Sequence, residues 1–395
     1  MPDTVKSSTS ATKHAPSAAK VAKRVGGAET SARTSARTPA GFGAAGTDRF
    51  QDRYARQTLF AGIGAAGQER IGRGTVAIVG CGALGTVLAN NLARAGVGHL
   101  RIADRDFIEA NNLQRQILFD EDDIAQGLPK AAAAAARLRR INSAIAVEAL
   151  VEDITADNIE RFIAGADVVL DGTDNFETRY LLNDACVRAG VPWVYSGVIA
   201  AYGVTMTVLP HETACLRCVF PERPLPGTTP TCDTAGVLNG IVGVIAGMAS
   251  TEALKLLVGS DRLVRGMTWV DLWENTFERF EVPRQGDCPA CARGEYEYLE
   301  ADDAGGGTTL CGRNAVQVRA PGRGAADGSA AGDALDLGAL AARLAPVGEV
   351  AHNAFLLRLR VDGYEVTVFP DARAIIKGTD DPAVARSVYA RYIGA

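Results

Sequence analysis

Several groups of residues in this sequence have the types and spacing to do chemistry. Gly80-Cys-Gly82-Ala-Leu-Gly85 follows the apolar run Thr75-Val-Ala-Ile-Val79 and precedes a helical pattern, the context a G-x-G-x-x-G turn requires. In such a turn the first two glycines allow a tight bend and close phosphate approach, and the third lets helix and strand pack. About twenty residues on, where a ribose-binding carboxylate is expected, stands Asp104-Arg-Asp106. Asp106 is the stronger ribose candidate; Asp104 is either a second ligand or a buried strand-end support of the turn. Asn111-Asn112-Leu-Gln-Arg115-Gln116 comes next, then Lys130. An arginine fork chelates phosphate oxygens, and a lysine at a helix start adds charge where backbone N–H groups also favour anions. The turn alone also suits dehydrogenases and methyltransferases, and either cation alone could be a solvated surface residue. Together they favour ATP over NAD, because hydride transfer needs no such cluster and a triphosphate does.

Asp171-Gly-Thr-Asp174-Asn175 follows the apolar run Val168-Val-Leu170, so its carboxylates lie at a strand's carboxyl end, where ligands bind in open α/β sheets. Asp174 could hold Mg2+ against phosphates or orient the reacting group. Asp171 and Asn175 read equally well as turn former and helix cap. Cys215-Leu-Arg-Cys218 and Cys288-Pro-Ala-Cys291 have the spacing of two zinc knuckles that together supply four thiolates to Zn2+; the bland reading is two unrelated redox or buried pairs. Cys232 stands alone after a Pro/Gly/Thr loop, Leu225 to Pro230, and before a helical segment. It is either an exposed thiol made acidic by a helix N-terminus or an incidental buried cysteine.

Positioning these groups takes alternating strands and helices. Strands are expected at 75–79, 100–103, 147–150, 168–170 and 191–196, with an edge or return strand at 204–209. Late strands are expected at 267–272 and 277–282. Helices follow the glycine turn, closing at Gly96 or Gly98, and run over 130–141, 178–189 and from Gly236 to Val258. This alternation describes an α/β, Rossmann-like, largely parallel sheet with helices on both faces and mixed strands at one side. Composition shifts at Asp302-Asp-Ala-Gly-Gly-Gly. Beyond it, 308–395 reads as a small α+β domain with a hairpin over 355–369 turning at Asp362-Gly363, a third strand at 372–376 and a helix at 382–392; a glycine/alanine-rich loop occupies 320–334. The candidate domains are thus a basic tail, 1–47, a nucleotide-binding α/β core with the cysteine knuckles, 48–300, and the C-terminal unit.

With 395 residues, 47% of them hydrophobic, the chain can build one large core and a smaller satellite. The net charge of −5 argues against a nucleic-acid partner. No run reaches about eighteen unbroken apolar residues, so no membrane span is expected. The eight cysteines, without an apolar secretion segment, suit a reduced, cytoplasmic setting with metal ligation better than a disulfide framework. Up to Gly46, seven basic residues face only Asp3 and Glu29, the composition of a disordered tail, a transit segment or a polyanion-binding arm.

The glycine turn, Asn112 to Gln116, Lys130, Asp171 to Asn175, both C-x-x-C pairs and Thr231-Cys232-Asp-Thr-Ala-Gly-Val together resemble the ThiF/MoeB-like adenylyltransferases of ubiquitin-like sulfur carriers, relatives of the ubiquitin-activating enzymes. The resemblance spans roughly residues 50 to 290. It implies that ATP is attacked at its α-phosphorus by the C-terminal carboxylate of a carrier ending in Gly-Gly, giving carrier-AMP and pyrophosphate. It implies phosphate roles for Asn112, Arg115 and Lys130, a ribose role for Asp106, an essential Mg2+-associated role for Asp174, and structural zinc. It also implies a homodimer in which Arg56, within Arg53-Tyr-Ala-Arg56-Gln57, reaches the other subunit's site. Cys232 matches a cysteine that in some relatives bonds the activated carrier and in others is unused. Ala83 departs from the pattern, where a third glycine is common. No fused sulfurtransferase is recognisable after residue 308, which makes a separate one a candidate partner; the Gly312-Arg-Asn-Ala-Val and Phe369-Pro-Asp-Ala-Arg segments look like an extension of some bacterial members. The alternatives are a catalytically idle ATP-binding scaffold, activation of a different protein or peptide carboxylate, and, more weakly, a nicotinamide oxidoreductase.

Overall fold

Thr75–Val79 (β1) begins the large sheet because its five residues are apolar or β-branched and are covered on both faces. His99–Ala103 (β2), Ala146–Leu150 (β3), Val168–Asp171 (β4) and Trp193–Ile199 (β5) join it in parallel register. Tyr202–Val208 (β6), Met267–Asp271 (β7) and Thr276–Phe280 (β8) then continue it antiparallel. The order is β3-β2-β1-β4-β5-β6-β7-β8. The strand at 204–209 is therefore the expected return strand but not an edge, since β7 and β8 lie outside it. The order reverses direction between β1 and β4, which opens a crevice beyond their carboxyl ends.

This computed structural model describes residues 52–224, 232–300, 307–310, 314–318 and 335–393. The basic tail, the 225–230 loop, the 320–334 loop and Cys311 lie outside them. Helices Ala83–Ala95, Lys130–Ile141 and Asn239–Val258 cover one face of the large sheet, and Ile159–Ile163 and Phe176–Ala189 cover the other. The Ala83–Ala95 helix closes on Gly96 at φ +84°, as its sequence indicates. The long apolar helix begins at Asn239 rather than Gly236. Gly236 has φ +73°, and Val237 bridges to Ala200, whose N–H donates to the Gly236 carbonyl and whose carbonyl accepts from Leu238 N–H. By length and composition this helix, with a mean hydropathy of 1.7, could cross a membrane; half of it is buried here, against β5, β6 and the Ala83–Ala95 helix.

The residues from Phe50 onward form one compact unit that includes a second sheet. Its strands are Gly307–Leu310 (β9), Ala315–Val318 (β10), Glu349–His352 (β11), Leu357–Val361 (β12), Tyr364–Val368 (β13) and Ala374–Lys377 (β14). The order is β11-β12-β13-β14-β10-β9, antiparallel throughout. Asp362 and Gly363 take φ +52° and +83°, the left-handed pair that a two-residue hairpin of this twist demands. Helices Leu337–Leu344 and Pro382–Tyr392 pack on one face of this sheet.

Candidate active site

The glycine turn closes on the β4 loop. Gly80 N–H donates to Ala103 O at 2.8 Å and Gly172 N–H to Val79 O at 2.8 Å. A Cβ on Gly80 would stand 2.6 Å from Gly172 O, one on Gly172 2.4 Å from Gly80 O, and one on Gly85 2.0 Å from Gly80 O. Those glycines serve close backbone packing. Gly82 differs: a Cβ there would meet only Gln116 Nε2, at 3.8 Å. The space beside Gly82 is the one in the turn that a phosphate can enter.

Asp104 holds this turn from below. Its Oδ2 accepts from Cys81 N–H at 2.6 Å and its Oδ1 from Asp106 N–H at 2.7 Å. Burial pushes its carboxyl above the usual range; Lys130 counters this and Asp106 adds to it. Of the two readings open for Asp104, the hydrogen bonds support the strand-end one. Asp106 accepts from Lys130 Nζ at 3.1 Å, and Lys130 N–H donates to Asp106 O at 2.9 Å. The antiparallel bridge that sets Pro129 opposite Phe107, made by the Lys130 N–H to Asp106 O bond and by Ile108 N–H to Leu128 O at 3.5 Å, brings the start of the Lys130–Ile141 helix close behind β2, so the ribose and phosphate candidates are adjacent.

Asn112 is buried in a short turn of helix, Ala110–Asn112, where Glu109 and Asn112 cap each other; Glu109 N–H donates to Asn112 Oδ1 at 3.0 Å. Arg115 donates to Asn111 O at 2.7 Å through one guanidinium nitrogen, and no other hydrogen bond of its fork is seen among the described residues. Gln116 is buried, and its Oε1 has no hydrogen-bond partner among the described residues. A buried acceptor left unpaired is rare in native folds, and this one lies beside the open face of Gly82.

Across the crevice, Asp171 is fully enclosed and saturated. Its Oδ1 accepts from Thr173 N–H (2.9 Å) and Thr173 Oγ1 (2.7 Å), and its Oδ2 from Arg179 Nε (3.0 Å) and Ser196 N–H (3.4 Å). Arg179 also donates to the Thr173 and Ser196 carbonyls, at 2.8 and 3.1 Å, and its guanidinium lies over the Phe176 and Tyr195 rings. Asn175 caps the Phe176–Ala189 helix, accepting from Thr178 N–H at 2.9 Å. Between these fixed neighbours Asp174 is exposed and has no hydrogen bond or ion pair among the described residues. Asp171 and Asn175 thus build the loop, and Asp174 is the carboxylate in it that no neighbouring group engages among the described residues. Cys232 is half-buried at the start of the short helix Cys232–Ala235, with Sγ 3.7 Å from Val198 O, at the same end of the sheet.

Arg56 is elsewhere. Gln57 Nε2 donates to Ala95 O at 2.8 Å, Arg53 bonds the Asn142 side chain, and Asn142 Nδ2 donates to the Tyr54 hydroxyl at 2.8 Å. These anchors tie the segment to the far ends of the Ala83–Ala95 and Lys130–Ile141 helices. The first of those helices has 13 residues, about 20 Å at 1.5 Å per residue. Arg56 is exposed, beside exposed Leu59 and Phe60, and cannot reach its own crevice.

The four knuckle cysteines converge. Cys215 and Cys288 sulfurs are 3.6 Å apart, Cys218 and Cys291 3.5 Å, Cys215 and Cys218 4.0 Å, and all four lie within 4.8 Å of one another. A tetrahedron with metal–sulfur bonds of about 2.3 Å has edges of about 3.8 Å, so the cluster has the size of a structural zinc site. The hydrogen bond from Cys215 holds the Cys218 thiol down to about 5, against its burial, and the Gln285 N–H assists. The unrelated-pairs reading does not survive this convergence.

Residues 54–290 match the ThiF family model. The chain belongs to the ThiF family. It is 44% identical over 349 residues to the sulfur carrier protein ThiS adenylyltransferase of Bacillus subtilis, covering 87% of this chain and 99% of that one; a match of that length extends past residue 290 into the second sheet. It is 40% identical over 253 residues to the SAMP-activating enzyme E1 of Haloferax volcanii, covering 64% of this chain and 93% of that one. A crystal structure of E. coli MccB with ATP superposes with a TM-score of 0.53 at 23% identity, over 61% of this chain and 75% of that one, a likeness of fold.

Arg179, Gln116 and Ser196 were not among the residues singled out by sequence. Arg179 has one signal that could have found it: it is the first cation after the D-G-T-D-N turn and stands where the first turns of a capped helix fold back over that turn.

Proposed function

We propose that this ThiF-family chain activates the C-terminal glycine of a ubiquitin-like sulfur carrier by adenylation. It is an ATP-dependent adenylyltransferase: the carrier carboxylate attacks the α-phosphorus of ATP, the bond to the bridging oxygen breaks, and pyrophosphate leaves. What supports the site assignment is the open face of Gly82 beside Gln116 and the Asp106–Lys130 pair after β2, with the partly unengaged Arg115 fork and the unpaired Asp174 on the β4 loop as the groups that would complete it. Gly80, Gly82 and Gly85 form the turn, Asn112, Arg115 and Lys130 hold phosphate oxygens, and Asp106 holds the ribose. Asp174 would hold Mg2+, which when bound neutralises the departing pyrophosphate. The cysteine cluster would hold one Zn2+ as a fold element, remote from the reacting atoms.

Arg56 acts in trans in a homodimer, because its own crevice is out of reach. Cys232 acts after adenylation, taking the acyl group onto sulfur with loss of AMP, or is not used. The similarity to a ThiS adenylyltransferase favours a thiamine-type carrier, with molybdopterin-type carriers next, and a separate sulfurtransferase and a cytoplasmic setting fit that role. The test is ATP–pyrophosphate exchange. Asp174→Asn is expected to abolish exchange, and Cys232→Ala to leave it. Full exchange in the aspartate variant removes the metal assignment; equal loss in both, with folding retained, moves Cys232 into the first step.

A further inference from the structure

The second sheet has two chemically different faces. Along β10 and β14 the pairing sets Ala315 opposite Lys377 and Gln317 opposite Ile375. With a period of two, Val316, Val318, Ala374 and Ile376 point into the core under the two helices. Ala315, Gln317, Ile375 and Lys377 point the other way, toward the first sheet. There Ala315 and Ile375 pack with Phe369 against Phe107 and Val151, and the Phe107 and Phe369 ring centroids are 5.6 Å apart. Val151 directly follows β3 and Phe107 stands four residues beyond β2, so this face docks at the carboxyl end of the first sheet, the proposed nucleotide side.

The polar contacts in this interface run into the site. Gln317 Nε2 donates to Asp153 Oδ2 at 3.1 Å, and the same oxygen accepts from Arg105 at 2.5 Å. Arg105 also lies 3.9 Å from Asp106, the residue that holds Lys130. Arg373 donates to Gln317 Oε1 at 3.3 Å and to Val151 O at 3.1 Å. Lys377 Nζ pairs with Glu109 at 2.8 Å, and Glu109 closes the cap on Asn112. Asn353 Nδ2 donates to the carbonyls of Gln126 and Gly127, at 3.1 and 3.2 Å, just before Lys130. Every one of these partners lies within 105–127 or in the β3 loop beside it. That span carries Asp106, Asn112 and Arg115 and ends just before Lys130.

We propose that the C-terminal sheet is a positioning element for ATP: Gln317, Arg373 and Lys377 hold the 105–116 loop in the arrangement that binds the nucleotide. This rests on the adenylation reading above. None of the three touches the site. They act through Arg105, Glu109 and the loop backbone, so weakening them lowers the fraction of loops competent to bind and raises the apparent dissociation constant by that fraction.

The test uses the full chain with Gln317→Ala and Lys377→Glu combined, which removes one bond and sets a carboxylate against Glu109. The KM for ATP in pyrophosphate exchange is expected to rise about fivefold, within the span of long-range coupling, with kcat changed by less than about twofold. Amide hydrogen exchange should accelerate at 105–116 and not along β1. Lys377→Arg, which keeps the pair, should retain the wild-type KM. A folded double variant with wild-type KM and wild-type amide protection at 105–116 overturns the proposal, as does a lowered melting temperature with KM unchanged, the mark of a merely structural sheet. If the double variant does not fold, Lys377→Ala carries the same two readouts. A wild-type chain without pyrophosphate exchange refutes the adenylation reading instead, and the amide measurement still decides this one.

Discussion

Replacing Gly82 and Gly85 by alanine, one at a time, separates binding from folding within a single turn. At Gly85 the new methyl would stand 2.0 Å from the Gly80 carbonyl oxygen, where ordinary contact begins near 3.4 Å. The neighbour is backbone, pinned by the Gly80 N–H bond to Ala103 and by Gly172, so the turn must open by more than an ångström. Overpacking of this kind costs about 3 kcal/mol or more, against which alanine's helix propensity returns at most about 1 kcal/mol. The melting temperature should fall by roughly 3–4 °C in a unit of this size. At Gly82, with φ −84° and ψ −142°, the methyl meets only the end of Gln116, at 3.8 Å, so no backbone clash arises. The stability loss should be well below that at Gly85. On the proposed site the methyl occupies the space of a phosphate, so the KM for ATP should rise by about tenfold or more, the loss of uniform binding. Thermal unfolding and ATP–pyrophosphate exchange on both variants are the assays. A Gly82→Ala protein that binds ATP as the wild type does would refute the assignment of that face to the nucleotide, and a Gly85→Ala protein with wild-type stability would refute the packing argument.

Mixing Arg56→Ala with Asp174→Asn subunits, each inactive alone, should restore about one quarter of wild-type exchange, because half of the dimers are mixed and one of their two sites has both residues; mixed dimers with no activity would place Arg56 in its own chain's site. Metal-replete protein should contain one zinc per chain by elemental analysis, and Cys288→Ser should lower both metal content and melting temperature, since structural zinc binding is coupled to folding; a folded, metal-free wild type would defeat the assignment.

The glycine turn, the five parallel strands and each C-x-x-C pair were legible because each is encoded within a few residues, and the meeting of the two pairs followed from the four ligands a zinc site demands. Alternation of apolar runs marks the strands, Gly96 ends its helix, and Asp362-Gly363 sets its hairpin. Arg179 was not legible as a site residue, because its meaning comes from Asp171, Thr173 and Ser196, which meet only when β4, its loop and β5 are assembled. The start of the long helix was misplaced for a similar reason: Gly236–Leu238 are apolar enough to be helical but pair with Ala200. The two carboxylates after β2 could not be told apart by spacing; two backbone N–H groups engage Asp104, while Lys130 pairs with Asp106. The docking of the second sheet rests on pairs such as Lys377 with Glu109 and Arg373 with Val151, more than two hundred residues apart, and no local pattern announces them.

The account stands or falls on the first chemical step. The purified chain should exchange radiolabelled pyrophosphate into ATP only when Mg2+ and a small ubiquitin-like carrier ending in Gly-Gly are present, and should lose that exchange when the carrier's last glycine is removed. Exchange that proceeds without any carrier, or its absence across a panel of such carriers with ATP still bound, would contradict it.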